Sequence, residues 1–319
     1  MKGLYVAIFA ATLLLPLSAS AHGPVERESE ADTGVSRIFT ADAATGEVIA
    51  IDLDDAQSVQ RLSTPPYIMV LGLSQDRKHL FAMRGRDTQR DFVTVIDTGF
   101  DPDSEEVLPP HVARTFPGSA PTTGGLHHGK SAVINGRDAI FMEGTGELVL
   151  FEEKSFDSLS EVSTKRIKLA APDHYHHVIS EGRLYNGYIR GGFVQVIDLE
   201  TGDEVTRIDG CPRLHGMALD EESGRSFWAC GDDILVIGTR GDEANSVIAR
   251  LPYPTEQRVG TFMQGKGGIL WGATEGTLAY LYRIDLKADP RRCVRDPGWR
   301  DRRHCQATAR HPALRERFP

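Results

Sequence analysis

The chain has 319 residues, with Lys+Arg 36 against Asp+Glu 45, a formal net charge of −9, and 40% hydrophobic residues. That is enough chain for one large β domain or two ordinary ones. The acidic balance argues against nucleic acid as a partner and tolerates cations.

The first segment reads MKGLYVAIFAATLLLPLSASA. Lys2 is a short positive region, Leu4 to Leu17 is an apolar run of 14 residues, and Ala19-Ser20-Ala21 has the small-x-small form of a cleavage site. This predicts a secretory signal peptide over residues 1–21, too short for a transmembrane helix. No other stretch approaches a spanning length, so the mature chain is expected in the periplasm with no membrane span. Residues 22–35 read as a flexible N-terminus, in which His22 becomes the first residue and offers an amine-and-ring chelate.

Residues 36–288 repeat one pattern. "RIFTADAATGEVIAIDL" (37–53), "HLFAMRGRDTQRDFVTVIDTG" (79–99), "AIFMEGTGELVLFE" (139–152), "RLYNGYIRGGFVQVIDLETG" (183–202), "SFWACGDDILVIGTRG" (226–241) and "ILWGATEGTLAYLYRIDL" (269–286) are each two β runs around a Gly- or Asp-containing turn. Equivalent positions fall at Ile38, Leu80, Ile140, Leu184, Phe227 and Leu270, with spacings of 42, 60, 44, 43 and 43. A period in the low forties with four short strands per unit predicts an all-β fold, a single β-propeller. Six hairpins are visible. Residues near the N-terminus and in the tail are available to complete a seventh blade, so seven are expected, with six and eight left open. The long interval holds "FDPDSEEVLPPHVARTFPGSAPTTGG", read as a surface loop.

In a propeller the strand preceding each such hairpin lines the central channel, and its start lies on one rim. Three consecutive segments at that position carry histidine: His127 and His128 in "GGLHHGKSAVINGR", His174, His176 and His177 in "PDHYHHVISEGR", and His215 in "CPRLHGMALDEESGR". Equivalent rim positions on adjacent blades converge, which is what a three-histidine metal site requires, with one position left for water or a carboxylate. Strand alternation puts His128, His174, His176 and His215 on one parity and His127 and His177 on the other. The predicted ligands are His128, His176 and His215, with His127, His174 and His177 as alternates. Imidazole suits zinc, copper, iron or nickel; no Met or Cys stands beside the cluster to favour copper(I), and zinc is the default. Glu143 and Asp173 are candidates for a fourth ligand or for the carboxylate that orients a ligating imidazole, set against a plain role as turn residues.

Four cysteines remain, Cys211, Cys230, Cys293 and Cys305. In an oxidising compartment an even number reads as two disulfides, and local spacing favours Cys211–Cys230 and Cys293–Cys305. Residues 289–319 break the period and carry nine Arg against Asp289, Asp296, Asp301 and Glu316. They are read as an Arg-rich tail pinned by the second disulfide, packed as a strap or serving as a basic docking arm.

"FVTVIDTG" (92–99), "EGTGELVLFE" (143–152), "GCPRLHGMA" (210–218) and "WACGDDILVIG" (228–238), in that order, resemble the periplasmic zinc metallochaperones of the AztD type. The resemblance runs over roughly Ser36 to Asp285, and its most specific piece is Cys-Pro-x-x-His-Gly followed by a second Cys. It implies a β-propeller partner of a zinc ABC transporter that hands zinc to the transporter's solute-binding protein. It points to His215 as a ligand, together with the doublets His127/His128 and His176/His177. This chain departs from the family in its insertion, where "FDPDSEEVLPPHV" offers acids and the single His111 in place of a flexible His- and Asp-rich segment.

A binding role is therefore expected in place of catalysis. The alternatives from the residues alone are a metal-dependent, lactonase-like propeller hydrolase and a metal-free interaction platform. No general base or oxyanion constellation stands out to favour the hydrolase.

Overall fold

The computed structural model describes residues 5–6, 36–54, 58–74, 76–84, 92–101, 107–117, 131–134, 137–151, 164–253, 257–265, 267–275, 280–287 and 308–310. They form an all-β fold divided into two compact units, one ending at His174 and the other beginning at Tyr175. Among the described residues no helix is long and apolar enough to cross a membrane.

The first unit holds three four-stranded sheets. They are β1 (Tyr5–Val6), β2 (Arg37–Asp42), β3 (Glu47–Asp52) and β4 (Val59–Ser63); then β5 (Ile68–Leu73), β6 (His79–Arg84), β7 (Phe92–Asp97) and β8 (His111–Pro117); then β9 (Ser131–Ile134), β10 (Arg137–Met142), β11 (Glu147–Phe151) and β12 (Thr164–Lys168). The second unit holds three more. They are β13 (Tyr175–Ser180), β14 (Arg183–Tyr188), β15 (Phe193–Asp198) and β16 (Glu204–Asp209); β17 (Met217–Asp220), β18 (Arg225–Ala229), β19 (Asp233–Gly238) and β20 (Val247–Pro252); and β21 (Val259–Gly265), β22 (Ile269–Thr274), β23 (Leu281–Asp285) and β24 (Thr308–Arg310).

In every sheet the strands lie side by side in chain order, which is the up-and-down order of a propeller blade. Among the described residues the strand pairings within the sheets are antiparallel, apart from the two-residue parallel contact of β1 with β2. Each hairpin read from the sequence is the central pair of one sheet. Six sheets stand among the described residues where seven were expected. Among the described residues, Tyr5–Val6 and Thr308–Arg310 from the two ends of the chain join the first and last sheets, as β1 and β24. β1 falls inside residues 1–21, the expected leader.

The central strands are apolar at consecutive positions because both of their faces are covered. Along β6, Phe81 and Met83 pack with Val93, Val95, Ile140 and Phe151, while Leu80 and Ala82 point the other way onto Phe39, Val48 and Leu71. The second unit repeats the rule. Leu235 and Ile237 of β19 join Trp228, Tyr185 and Val194, whereas Ile234 and Val236 join Phe227, Leu270 and Ile284. A strand alternates its side chains, so burial on two faces demands an unbroken apolar run. Each fully buried large side chain contributes on the order of 1.5–3 kcal/mol.

The hairpin turns are equally regular. Gly46, Gly146 and Gly192 donate their N–H groups back to Asp42, Met142 and Tyr188, and all three adopt positive φ. At Gly46 an added Cβ would lie 2.5 Å from the Thr64 carbonyl oxygen, so only glycine closes this turn. The Asp42 and Asp198 carboxylates accept N–H groups two and three residues ahead, and backbone donors hold the Asp42 carboxyl below its usual range.

Candidate metal centre

Within the second unit β13 lies beside β17, and β17 beside β21. His176 and Val178 occupy one face of β13, and Val178 enters the core that also buries Leu214 and Trp228. His215 precedes β17 and continues its pairing, because its N–H donates to the Ala229 carbonyl at 2.8 Å. Met217 and Leu219, on the same alternation as His215, pack against that same core. The facing surfaces of two sheets thus bring His176 and His215 together, with ring centroids 4.7 Å apart and rings tilted by 66°.

His174 lies two positions before His176 and therefore on the same side of the extended chain. One nitrogen from each of His174, His176 and His215 falls within 4.8 Å of the others. His174 and His176 are buried and His215 is nearly so. His177 projects from the opposite side of β13, across from Asn186 of β14. His127, His128 and His22 lie outside the described residues; of the predicted ligands the structure brings together His176 and His215, joined by the alternate His174.

The second nitrogens of two of these rings are already engaged. His174 Nδ1 lies 2.8 Å from Glu143 Oε1, and both side chains are buried. His215 Nδ1 lies 2.9 Å from Glu275 Oε1 and 3.1 Å from the Gly260 carbonyl. A carboxylate on Nδ1 fixes ring orientation and tautomer and leaves Nε2 as the ligating atom, the arrangement that supports metal-bound histidine. Asp173, also buried, accepts the backbone N–H of His174 at 2.7 Å and so shapes the approach to β13.

Glu143 was legible in the sequence; Glu275 was not singled out. The signal was the repeated "EGT" that follows the second strand of two sheets, at Glu143-Gly144-Thr145 after β10 and at Glu275-Gly276-Thr277 after β22. The hydrogen bond to His215 and the neighbouring Arg258 hold the Glu275 carboxyl down at about 2. Gly260 makes room for it: an added Cβ there would lie 2.2 Å from Glu275 Cγ.

Cys211 and Cys230 form a disulfide that ties the segment carrying His215 to the end of β18. Cys293 and Cys305 lie outside the described residues.

Three convergent imidazoles fit a borderline-soft divalent ion. Nitrogen ligands of a tetrahedral zinc at about 2.0–2.1 Å stand roughly 3.3 Å apart. The observed spread of up to 4.8 Å therefore closes onto an ion by a small contraction of side-chain torsions.

No family model and no curated sequence matches the chain. Solved structures do. The chain is similar in fold to apo AztD from Citrobacter koseri, at 20% identity and a TM-score of 0.57, covering 78% of this chain and 67% of that one. A second structure of Citrobacter koseri AztD matches at 20% identity and a TM-score of 0.57, covering 79% and 67%. Dihydro-heme d1 dehydrogenase NirN in complex with DHE matches at 14% identity and a TM-score of 0.56, over 86% of this chain and 54% of that one.

Proposed function

We propose that this protein is a periplasmic zinc carrier. It holds zinc as cargo at His174, His176 and His215, and passes it to the solute-binding protein of a zinc ABC transporter. The observation that carries the reading is the cluster of three buried or nearly buried histidines, two of them with a carboxylate on Nδ1. The likeness in fold to AztD supports it, as does the sequence resemblance centred on Cys211 to Ala218. The fourth position goes to water or to His128, the sequence's remaining candidate on the same parity, with His127 as its alternate; His177, on the opposite side of β13, is not part of the set.

Three neutral ligands suit hand-off. The partner's site takes the ion by stepwise ligand exchange, and burial keeps it from solvent until the partner arrives. A three-histidine zinc with an open fourth position is also the pattern of hydrolytic zinc enzymes. Glu143 and Glu275 are each engaged on a ligand Nδ1, where they orient imidazoles.

The test is metal content of the purified protein, followed by competition titration of zinc against a chelator. About one zinc per chain is expected, with submicromolar or tighter affinity lost in His215→Ala and His176→Ala. Retained affinity in both variants refutes the assignment. Turnover of a lactone or phosphoester panel that disappears with the metal would establish the hydrolase instead.

A further inference from the structure

Beside His215 the second unit carries an open groove of about 960 Å³, lined by Arg190, Arg213, Arg258, Glu275 and the exposed backbone of Gly191 and Gly210. Three guanidinium groups face one carboxylate, which leaves an excess of two positive charges in the lining of a protein whose formal net charge is −9. Arg190 and Arg213 are exposed, and the nearest acid to Arg213 is the largely solvated Asp232 at 3.5 Å. Arg258 is mostly covered. One of its Nη atoms donates to the Arg213 carbonyl and the other to Glu275 Oε2.

Glu275 therefore has two partners on two sides. Oε1 holds His215 Nδ1, and Oε2 holds Arg258 on the groove wall. Backbone pairing keeps the pair in register, since the Glu275 N–H donates to the Arg258 carbonyl at 3.1 Å. A carboxylate entering the groove meets Arg190 and Arg213 first and then competes with Glu275 for the fork of Arg258. Carboxylate exchange at a guanidinium is chemically symmetric, and so needs no new donor. Its consequence falls on the metal ligand: a Glu275 released from Arg258 is free to swing, and the ring it orients loses its fixed tautomer and direction.

We propose that this groove docks an acidic segment of the zinc acceptor, and that docking loosens His215 through Arg258 and Glu275 so that zinc leaves when the acceptor is present. The proposal rests on the carrier reading above. An acidic peptide is favoured over a free anion because the arginines come from separate chain segments along an open groove. That arrangement matches several carboxylates on one chain and steers their encounter from solution.

The experiment uses the full chain loaded with zinc and a fluorescent hexaglutamate peptide as probe. Peptide binding is read by anisotropy, and zinc release by a chromogenic chelator in excess, with and without saturating peptide. In the wild type the peptide binds, weakens with added salt, and accelerates zinc release severalfold. In Arg190→Glu/Arg213→Glu it binds about tenfold or more weakly and no longer accelerates release, while zinc affinity without peptide stays within about twofold. Peptide binding that survives the charge reversal overturns the proposal, as does a release rate indifferent to bound peptide. A chain that takes up no zinc in the absence of peptide refutes the carrier reading itself, and the anisotropy arm still reports separately on the groove.

Discussion

Glu143 and Glu275 show how much a single side chain contributes to this centre without touching the metal. Each binds the Nδ1 of one ligand histidine, so removing its charge perturbs the ligand's basicity and orientation while leaving the donor count intact. Glu143→Gln is expected to weaken zinc binding about 10–100-fold in competition titration, with the fold retained. An unchanged affinity would mean that the carboxylate orients nothing. Arg37 plays the comparable part in stability. It is buried, forks onto both oxygens of Asp52 at 2.5 and 3.1 Å, and donates to the carbonyls of Thr98 and Leu108, joining the first sheet to the loop after β7. Arg37→Met is expected to cost about 3 kcal/mol in urea unfolding, because it strands Asp52 and two carbonyls at once. Of these residues only Glu143 was legible beforehand. Nothing local in "SRIFT" marks Arg37 as buried, since its partners are far along the chain.

Elements are where the repeat has its greatest explanatory reach. The six hairpins read from alternation are the central strands of six sheets, and the turns of three of them fall at glycines with positive φ, Gly46, Gly146 and Gly192. The third strand of three sheets even slips register at the same step, Val95/Ile96, Val196/Ile197 and Val236/Ile237. Period-two alternation identifies such strands because each side chain has one of two faces to choose. The ligand loop between β16 and β17 is different: its shape depends on the disulfide and on the Gly192 carbonyl that accepts the Cys211 N–H. With its cysteines 19 positions apart, the cross-link is expected to contribute about 3 kcal/mol. Cys211→Ala/Cys230→Ala should therefore unfold at lower denaturant and bind zinc more weakly. If zinc affinity holds while stability falls, the loop is positioned by packing of Leu214 alone.

For the whole molecule, acid separates metal loss from unfolding. Ligating imidazoles must be deprotonated, so zinc affinity should fall as the pH is lowered. The fold responds lower. The Arg37 hydrogen bonds hold the Asp52 carboxyl below its usual value, and Arg207 does the same for Glu204. A lowered folded-state pKa contributes stability that is present above the unfolded value and lost as pH falls through the folded one. Circular dichroism should thus stay native at pH 5 while the zinc is gone, and the structure should fail only below about pH 4. Coincident loss of both signals would refute this separation.

Local pattern determined a great deal about this protein: the all-β class, the place of every central hairpin, the Cys211–Cys230 pairing as the favoured local one, and the parity that puts His174, His176 and His215 on a common face. These follow from the two-residue period of a strand and from short-range turn and spacing chemistry. Tertiary structure decided which of the described histidines converge, which carboxylates support them, and that Tyr5–Val6 and Thr308–Arg310 add to existing sheets. Those outcomes rest on contacts between residues far apart in sequence, such as His215 with Glu275 and Glu143 with His174. The charge balance of the groove, with arginines drawn from three separate segments, is likewise invisible until the sheets bring them together.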